Sequence, residues 1–422
     1  MSRVILHSDA NSYYASVECL YTPALRGKAV AVCGSVEERH GIVLAKSEAA
    51  KERGVKTGMA IWQAKQACPR LVCVPPDYDL YLHFSGKLRR IYERYTGYVE
   101  PFGLDECWLD VSQPSMDMRE GERIAHQVRG RVKRELGITV SIGVSDNKVF
   151  AKLASDYRKP DAVTVINGNS FRDIAWPLPV SDLLYVGPRT SEKLVRVGIR
   201  TIGELARADA RMLAYMLGKN GIMLKAFAMG LDQSPVRPCD AVEDVKSVDN
   251  STTPPHDIRT IGDARAILYL LIESVCERLR ALGFKAGQVS VSARGTDLVS
   301  RSCQRALKQP TDGTAQLART VCALFEERFS HEFPFRSMGV NCGKLVPADA
   351  PVQTDMLGED EKRRRAEQLD RALDSLRYRF GHTIVRRGVV LADEAFARVN
   401  PAGQVIHPAA FLREGLVRYD RP

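Results

Sequence analysis

Two periods of apolar and polar residues alternate along the first 150 positions. Residues 3–9 (RVILHSD) read as a short buried strand, apolar and β-branched at its start and ending on a carboxylate. NSYYASVECL follows with helical spacing, and Asn11 or Ser12 is placed as its N-cap. KAVAVCG (28–34) and GIVLAKS (41–47) are strand-like, and EAAKERGVKTG reads as a helix closed by Gly54. A Tyr- and Arg-rich helix is expected over 80–97, and YVEPFGLDECWLDVS (98–112) reads as two strands meeting near Gly103. An amphipathic helix at about 119–136 then leads into a strand over 138–145. The order is strand, helix, two strands, helix, strand, with an insertion after the first helix. That is the α+β pattern of a split βαβ layer.

Beyond Pro160 the pattern changes to short helices punctuated by glycines, clearest in VSDLLYVGPRTSEKLVRVGIRTIGELA (180–206). Four prolines between 235 and 262 mark the entry to another domain. That domain reads as a strand, a long helix (263–283), two strands (287–307), a second helix (314–329) and a strand (335–346), which is a second split βαβ pattern. From Pro351 a tail begins with the charged helix EDEKRRRAEQLDRALDSLRYRFG, whose alternating charge predicts a solvated face.

A length of 422 residues is too much for one core and suggests two to four domains. The net charge of +10 points towards a polyanionic partner, because Lys and Arg gain affinity by releasing phosphate counterions. Ten cysteines occur singly with no CxxC pair, which argues against a zinc ribbon or a disulfide framework and for reduced thiols. The N-terminal apolar stretch is too short for a signal segment, and no window reaches the ~20 apolar residues of a membrane span. The chain is therefore expected to be soluble and cytoplasmic.

The candidate chemistry lies in Asp9, Asp105 and Glu106, carboxylates at the ends of strands of one sheet. Mg²⁺ takes hard oxygen ligands, and a pair of such ions needs two or three shared carboxylates. Adjacent residues of a regular strand face opposite ways, so Asp105 and Glu106 serve one site only if the chain bends there, and Gly103 supplies a bend. An Asp ending a strand can equally be a turn residue.

Three segments decide between these readings. Asp9-Ala10-Asn11-Ser12-Tyr13-Tyr14-Ala15-Ser16-Val17-Glu18 resembles the first motif of the Y-family translesion DNA polymerases. Leu104-Asp105-Glu106-Cys107-Trp108-Leu109-Asp110-Val111 resembles their second. The run from Ser141 to Asp156 with Lys159-Pro160 resembles their third. The resemblance covers about residues 1–345 in order and is greatest to the bacterial polymerase IV and polymerase V catalytic-subunit branch.

The resemblance implies a right-hand polymerase fold. Its palm would be 1–22 and 76–165, its small fingers insertion 23–75 and its helical thumb 166–235, followed by a linker at 236–243. A separate βαββαβ little finger (244–347) and a tail (348–422) complete it. It further implies a low-fidelity, template-directed polymerase that adds dNTPs to the primer strand of primer–template DNA and works on damaged templates as a monomer. Two Mg²⁺ ions would be held by Asp9, Asp105, Glu106 and the backbone carbonyl of Ala10. Tyr14 falls at the steric gate that excludes a 2′-OH, beside Tyr13 on the nucleotide side. Lys159 and Lys51 would meet the triphosphate, where a point charge neutralises developing negative charge. Lys148 and Lys152, one helical turn apart, either contact DNA phosphate or are solvated. Gly187 and Gly198 would let thumb amides approach the DNA backbone, and Arg294, Arg301, Arg305 and Lys308 would do so from the little finger. Gln353, Asp355, Met356 and Leu357 resemble a degenerate sliding-clamp-binding peptide.

Two positions depart from the family pattern. Glu48 stands where many members carry a Tyr over the triphosphate, with Lys51 in place of an Arg, which loses the bidentate fork. Tyr185 replaces the first glycine of a thumb hairpin. These departures would suit a catalytically weak DNA-binding protein of the same fold, but the intact carboxylate set speaks against that reading. A two-metal nuclease would need neither Tyr14 nor Lys159.

Overall fold

The protein is described by a computed structural model that covers residues 3–36, 39, 41–241, 244–350, 359–381 and 383–399. The chain divides into two units, taken one at a time below. The first contains, in order, β1 (Ile5–Ala10), α1 (Tyr13–Tyr21), β2 (Val30–Cys33), β3 (Val43–Lys46), α2 (Glu48–Lys51), α3 (Ile61–Ala67) and β4 (Val72–Val74). It continues with α4 (Tyr78–Tyr92), β5 (Val99–Pro101), β6 (Glu106–Asp110), α5 (Met118–Leu136), β7 (Val140–Ser145), α6 (Lys148–Tyr157) and β8 (Val163–Val165).

Every residue of β1 is buried, as expected for a strand covered on both faces. It is the middle strand of a five-stranded sheet ordered β5-β6-β1-β7-β8 and pairs antiparallel with β6 and β7. On one face Leu6, Leu109, Ile142 and Val144 share a core with Leu88 and Ile91 of α4 and with Ala125, Val128 and Val132 of α5. On the other face Ile5 and Trp108 pack against Ala151 of α6. The backbone of α6 rests directly on β7 at Gly143, where a Cβ would lie 1.9 Å from the carbonyl oxygen of Ala151. That contact fixes the α6 side chains over the end of β1. This is the split βαβ layer expected from the strand and helix order.

The insertion forms a three-stranded sheet, β3-β2-β4, over a small core that includes Ala31, Val43, Ala50, Val55 and Ala64. The helix expected to run to Gly54 stops at Lys51, because Gly54 takes φ +86° in the turn that follows. The helices α7 (Phe171–Ile174), α8 (Pro188–Arg196), α9 (Ile202–Arg207), α10 (Ala210–Leu217) and α11 (Lys219–Ala228) gather round Leu183, Leu194, Leu205, Leu213 and Leu224. The start of the expected linker at 236–243 is pinned rather than free. Val236 is buried with Ile5 and Trp108, and the Arg237 N–H donates to Glu100 Oε2 at 3.0 Å.

The second unit contains β9 (Ser247–Thr252), α12 (Ile261–Leu282), β10 (Phe284–Gly295), β11 (Ser300–Thr311), α13 (Thr314–Phe329) and β12 (Phe335–Pro347). Its antiparallel sheet is ordered β11-β10-β12-β9, with α12 and α13 on one face. The tail adds α14 (Glu359–Phe380) and α15 (Glu394–Ala397). Here the expectation of a merely solvated helix is corrected. Asp370 accepts from the Thr314 N–H at the start of α13, Arg280 forks onto Asp374 at 2.6 and 2.8 Å, and Arg377 meets Glu273 at 2.9 Å. Both Asp370 and Arg377 are buried, so part of the alternating charge docks α14 onto α12 and α13. Among the described residues no helix is long and apolar enough to cross a membrane.

Candidate active site

The end of β1 carries Asp9, whose cross-strand partner on β6 is Glu106. Asp105 precedes β6 in a tight turn in which Gly103 takes φ +99° and the Phe102 N–H donates to the Glu106 carbonyl at 2.8 Å. The turn is held to the strand end by the Ala10 N–H, which donates to the Asp105 carbonyl at 3.0 Å. Because Asp105 lies on the bend and not in the strand, strand alternation does not carry it to the far side of the sheet from Glu106.

Burial and like charge work together here. Burial, then the charges of Asp9 and Glu106, push the Asp105 carboxyl up to about 7. Asp9 is also raised, by burial against the pull of Lys159 and with the push of Glu106. Two lysines answer this charge. Lys159 Nζ lies 2.6 Å from Asp9 Oδ2 and 2.7 Å from Asp156 Oδ1. Burial alone would lower the Lys159 pKa, but those two carboxylates outweigh it and hold the ammonium above its usual value. Lys152, expected either at DNA phosphate or in solvent, is paired with Glu106 in the structure.

His7 escaped the motif analysis, although it alternates with Asp9 on the same face of β1. Its Nε2 lies 3.3 Å from Glu106 Oε2 and its Nδ1 2.8 Å from Ser155 Oγ. Burial, followed by the Lys152 cation, lowers its pKa to about 3, so a neutral imidazole underlies Glu106.

The donor set fits divalent magnesium in kind. All three candidates are hard carboxylate oxygens at one strand end, and burial together with the neighbouring carboxylates raises Asp9 and Asp105, a site that a divalent cation would relieve. Among the described residues the carboxylates are not drawn round a single point, since Lys159 and Lys152 hold one oxygen each of Asp9 and Glu106.

Tyr14 stands in the first turn of α1, its ring stacked on Tyr81 with centroids 4.1 Å apart and planes 9° apart, edge-on to Tyr78. Burial, then the charge of Asp105, lifts its phenol to about 12, so it is neutral at any working pH. Tyr13, expected on the nucleotide side, has its ring beside that of Tyr14, with centroids 5.6 Å apart. It is buried, and its hydroxyl donates to the Tyr81 carbonyl at 2.6 Å. From the fingers, Lys51 lies at the end of α2, 3.5 Å from Glu48. Lys46 at the end of β3 was not singled out from sequence. It is half-buried, and burial, then the Lys51 and Lys159 cations, lower its pKa against the pull of Glu48. Its signal was a second lysine five residues before Lys51, at the end of a strand.

Lys148, the other lysine of that helix face, is likewise paired with a carboxylate. Its ammonium lies 2.7 Å from Glu100 Oε2, over the Trp108 ring, and the Trp108 indole donates to its carbonyl at 3.0 Å. Both side chains of the Lys148–Glu100 pair are close to nine-tenths buried. Lys148→Met should therefore cost about 3 kcal/mol in denaturant unfolding, because it leaves the buried Glu100 carboxylate only the Arg237 N–H and the more exposed Arg237 guanidinium as partners. The salt dependence of DNA affinity should be unchanged, whereas a lost phosphate contact would flatten it.

The thumb places Gly187 and Gly198 at the two exposed ends of α8. Tyr185 takes a left-handed conformation, with φ +68°, at a cost of about 1–2 kcal/mol. On the little-finger sheet the four basic residues divide. Val289, Val291 and Ala293 face the helices, so their β11 partners Arg305, Cys303 and Arg301 lie on that side. There Arg301 meets Glu332 at 2.9 Å and Arg305 meets Glu327. Arg294 and the exposed Lys308 belong to the opposite, open face, with Ser290, Ser292, Ser302 and Gln304. Of the four, only Arg294 and Lys308 thus lie on the open face. Gln353, Asp355, Met356 and Leu357 lie outside the described residues.

Comparison with known proteins gives a consistent result. The sequence profile described as "impB/mucB/samB family" matches residues 8–156, and that of its C-terminal domain matches 245–356. The chain is 48% identical over 399 residues to "DNA polymerase IV" of Acetivibrio thermocellus, covering 94% of this chain and all of that one. It is 38% identical over 394 residues to "DNA polymerase IV 1" of Bacillus subtilis, with 93% and 94% covered. Among solved structures, a Y-family DNA polymerase chimera of Dbh and Dpo4 superposes with a TM-score of 0.73 at 22% identity, covering 82% of this chain and 99% of the chimera. DinB from Sulfolobus solfataricus gives 0.55 at 23% identity, with 81% and 98% covered.

Proposed function

The chain belongs to the impB/mucB/samB family and is a low-fidelity, template-directed DNA polymerase dependent on a divalent metal, and from that premise we propose how its own residues divide the work. Its substrates are primer–template DNA and dNTPs, and translesion synthesis is the setting in which it acts. The observation that carries the site assignment is the over-charged strand end of Asp9, Asp105 and Glu106, with a lysine on one side and a stacked tyrosine on the other.

Asp9, Asp105 and Glu106, with the backbone of Ala10, are the residues that would hold two Mg²⁺ ions. When bound, the ions supply charge neutralisation and activation of the primer 3′-OH. Lys159 gives the triphosphate a fixed positive charge and, in its absence, balances Asp9 and Asp156. Lys51 offers a second cation from the fingers. Tyr14 bounds the sugar. Gly187 and Gly198 at the ends of α8, with Arg294 and Lys308 on the open little-finger face, contact the DNA backbone. The segment from Gln353 to Leu357 engages a sliding clamp, and the enzyme works as a monomer.

Single-nucleotide primer extension with Mg²⁺ tests the nucleotide end of this assignment. Lys159→Ala should raise KM for the incoming dNTP by about ten- to a hundredfold, the scale of one lost charge-assisted contact. Unchanged KM would remove Lys159 from the triphosphate site.

A further inference from the structure

Ser12 precedes α1 but does not cap it. Its φ and ψ of +48° and +42° lie in the left-handed region and not in the extended region of an N-cap, and its side chain makes no capping bond. Instead Ser12 Oγ donates to Glu48 Oε1 at 2.8 Å, joining the β1–α1 turn to the first residue of α2. The other oxygen, Glu48 Oε2, lies 3.5 Å from Lys51 Nζ. Lys46, which donates to Thr57 Oγ1 at 3.2 Å, is within electrostatic reach of Glu48, Lys51 and Lys159. Glu48 is therefore a carboxylate held at the start of α1 by Ser12, beside Lys51 and within electrostatic reach of Lys46.

We propose that Glu48 is a resident competitor of the incoming triphosphate: it occupies Lys51 in the nucleotide-free enzyme, is tethered by Ser12, and sets a weak ground-state affinity for dNTPs. The inference rests on the assignment of Lys51 to the triphosphate. The dNTP and the departing pyrophosphate both bring negative charge to these lysines, and each must draw Lys51 away from Glu48. A carboxylate at that position also repels both directly. The substitution of Glu for the family's Tyr thus becomes a determinant of nucleotide affinity, and Ser12 is its positioning partner.

Glu48→Gln keeps an acceptor for Ser12 and removes only the charge. KM for the dNTP should fall about five- to tenfold with no matching gain in kcat, and the inhibition constant of pyrophosphate should fall by a similar factor, as expected for relief of one close like-charge contact. Ser12→Ala, which releases the tether, should lower KM by a smaller factor. Melting curves establish that both variants are folded. A KM for Glu48→Gln that is unchanged or raised overturns the proposal. Lys51→Ala separates the two levels: if it raises KM while Glu48→Gln does not lower it, the competitor role fails alone. If Lys51→Ala leaves KM untouched, the assignment of Lys51 fails instead.

Discussion

Asp105→Asn should abolish primer extension and at the same time raise the melting temperature of the protein. The rate of nucleotide addition should fall by about three orders of magnitude or more, the scale of several kcal/mol of lost transition-state stabilisation. The thermal effect has a separate cause. Asp105 is pushed up to about 7 because its charge is buried beside Asp9 and Glu106, so its ionised form costs folding energy. A neutral amide of the same shape removes that repulsion, and a rise of about 2–4 °C is expected for roughly 1 kcal/mol in a unit of this size. Activity and stability moving in opposite directions is the signature of charge concentrated for function. Single-turnover extension and calorimetry of the same preparation measure both. A variant that keeps more than a tenth of the wild-type rate would remove Asp105 from the catalytic set.

The placement of Asp9 and Asp105 was legible in the sequence because each is tied to a backbone event the sequence announces. β1 starts as an apolar run and ends one residue past Asp9, and Gly103 marks the turn that carries Asp105. The little finger was legible for the same reason, since its elements are long and strongly patterned, and α12 and α13 fall within two residues of expectation. What the sequence hid was the direction of side chains. Lys148 and Lys152 share a helix face as their spacing requires, but that face looks onto Glu100 and Glu106 and not onto solvent. Arg301 and Arg305 were grouped with Arg294 by composition, and only the β10–β11 register separates them. The tail helix misled because alternating charge reads as solvation until a partner such as Arg280 or Glu273, about a hundred residues away, is brought against it. The Ser12–Glu48 bond was out of reach for the same reason: nothing in either segment announces the other.

Tyr14→Ala should open the polymerase to ribonucleotides. Tyr14 leaves β1 five residues after Asp9, and its ring is held from behind by Tyr81 at 4.1 Å and from the side by Tyr78. Tyr81 is fixed in turn, its hydroxyl donating to Glu18 and its carbonyl accepting from Tyr13. A ring so backed cannot retreat from an added hydroxyl, so a 2′-OH placed against it meets a clash of about 1–3 kcal/mol. Removing the ring should therefore raise the ratio of ribonucleotide to deoxyribonucleotide incorporation by about ten- to a hundredfold. Tyr14→Phe keeps the ring and should keep the discrimination, because the phenol, neutral at any working pH, is not required for a steric barrier. Competitive incorporation of matched rNTP and dNTP on one template measures the ratio directly. Equal loss of selectivity in Tyr14→Phe and Tyr14→Ala would mean that the hydroxyl reads the sugar through a hydrogen bond. Unchanged selectivity in Tyr14→Ala would move the gate to another residue of the Tyr78–Tyr81 cluster.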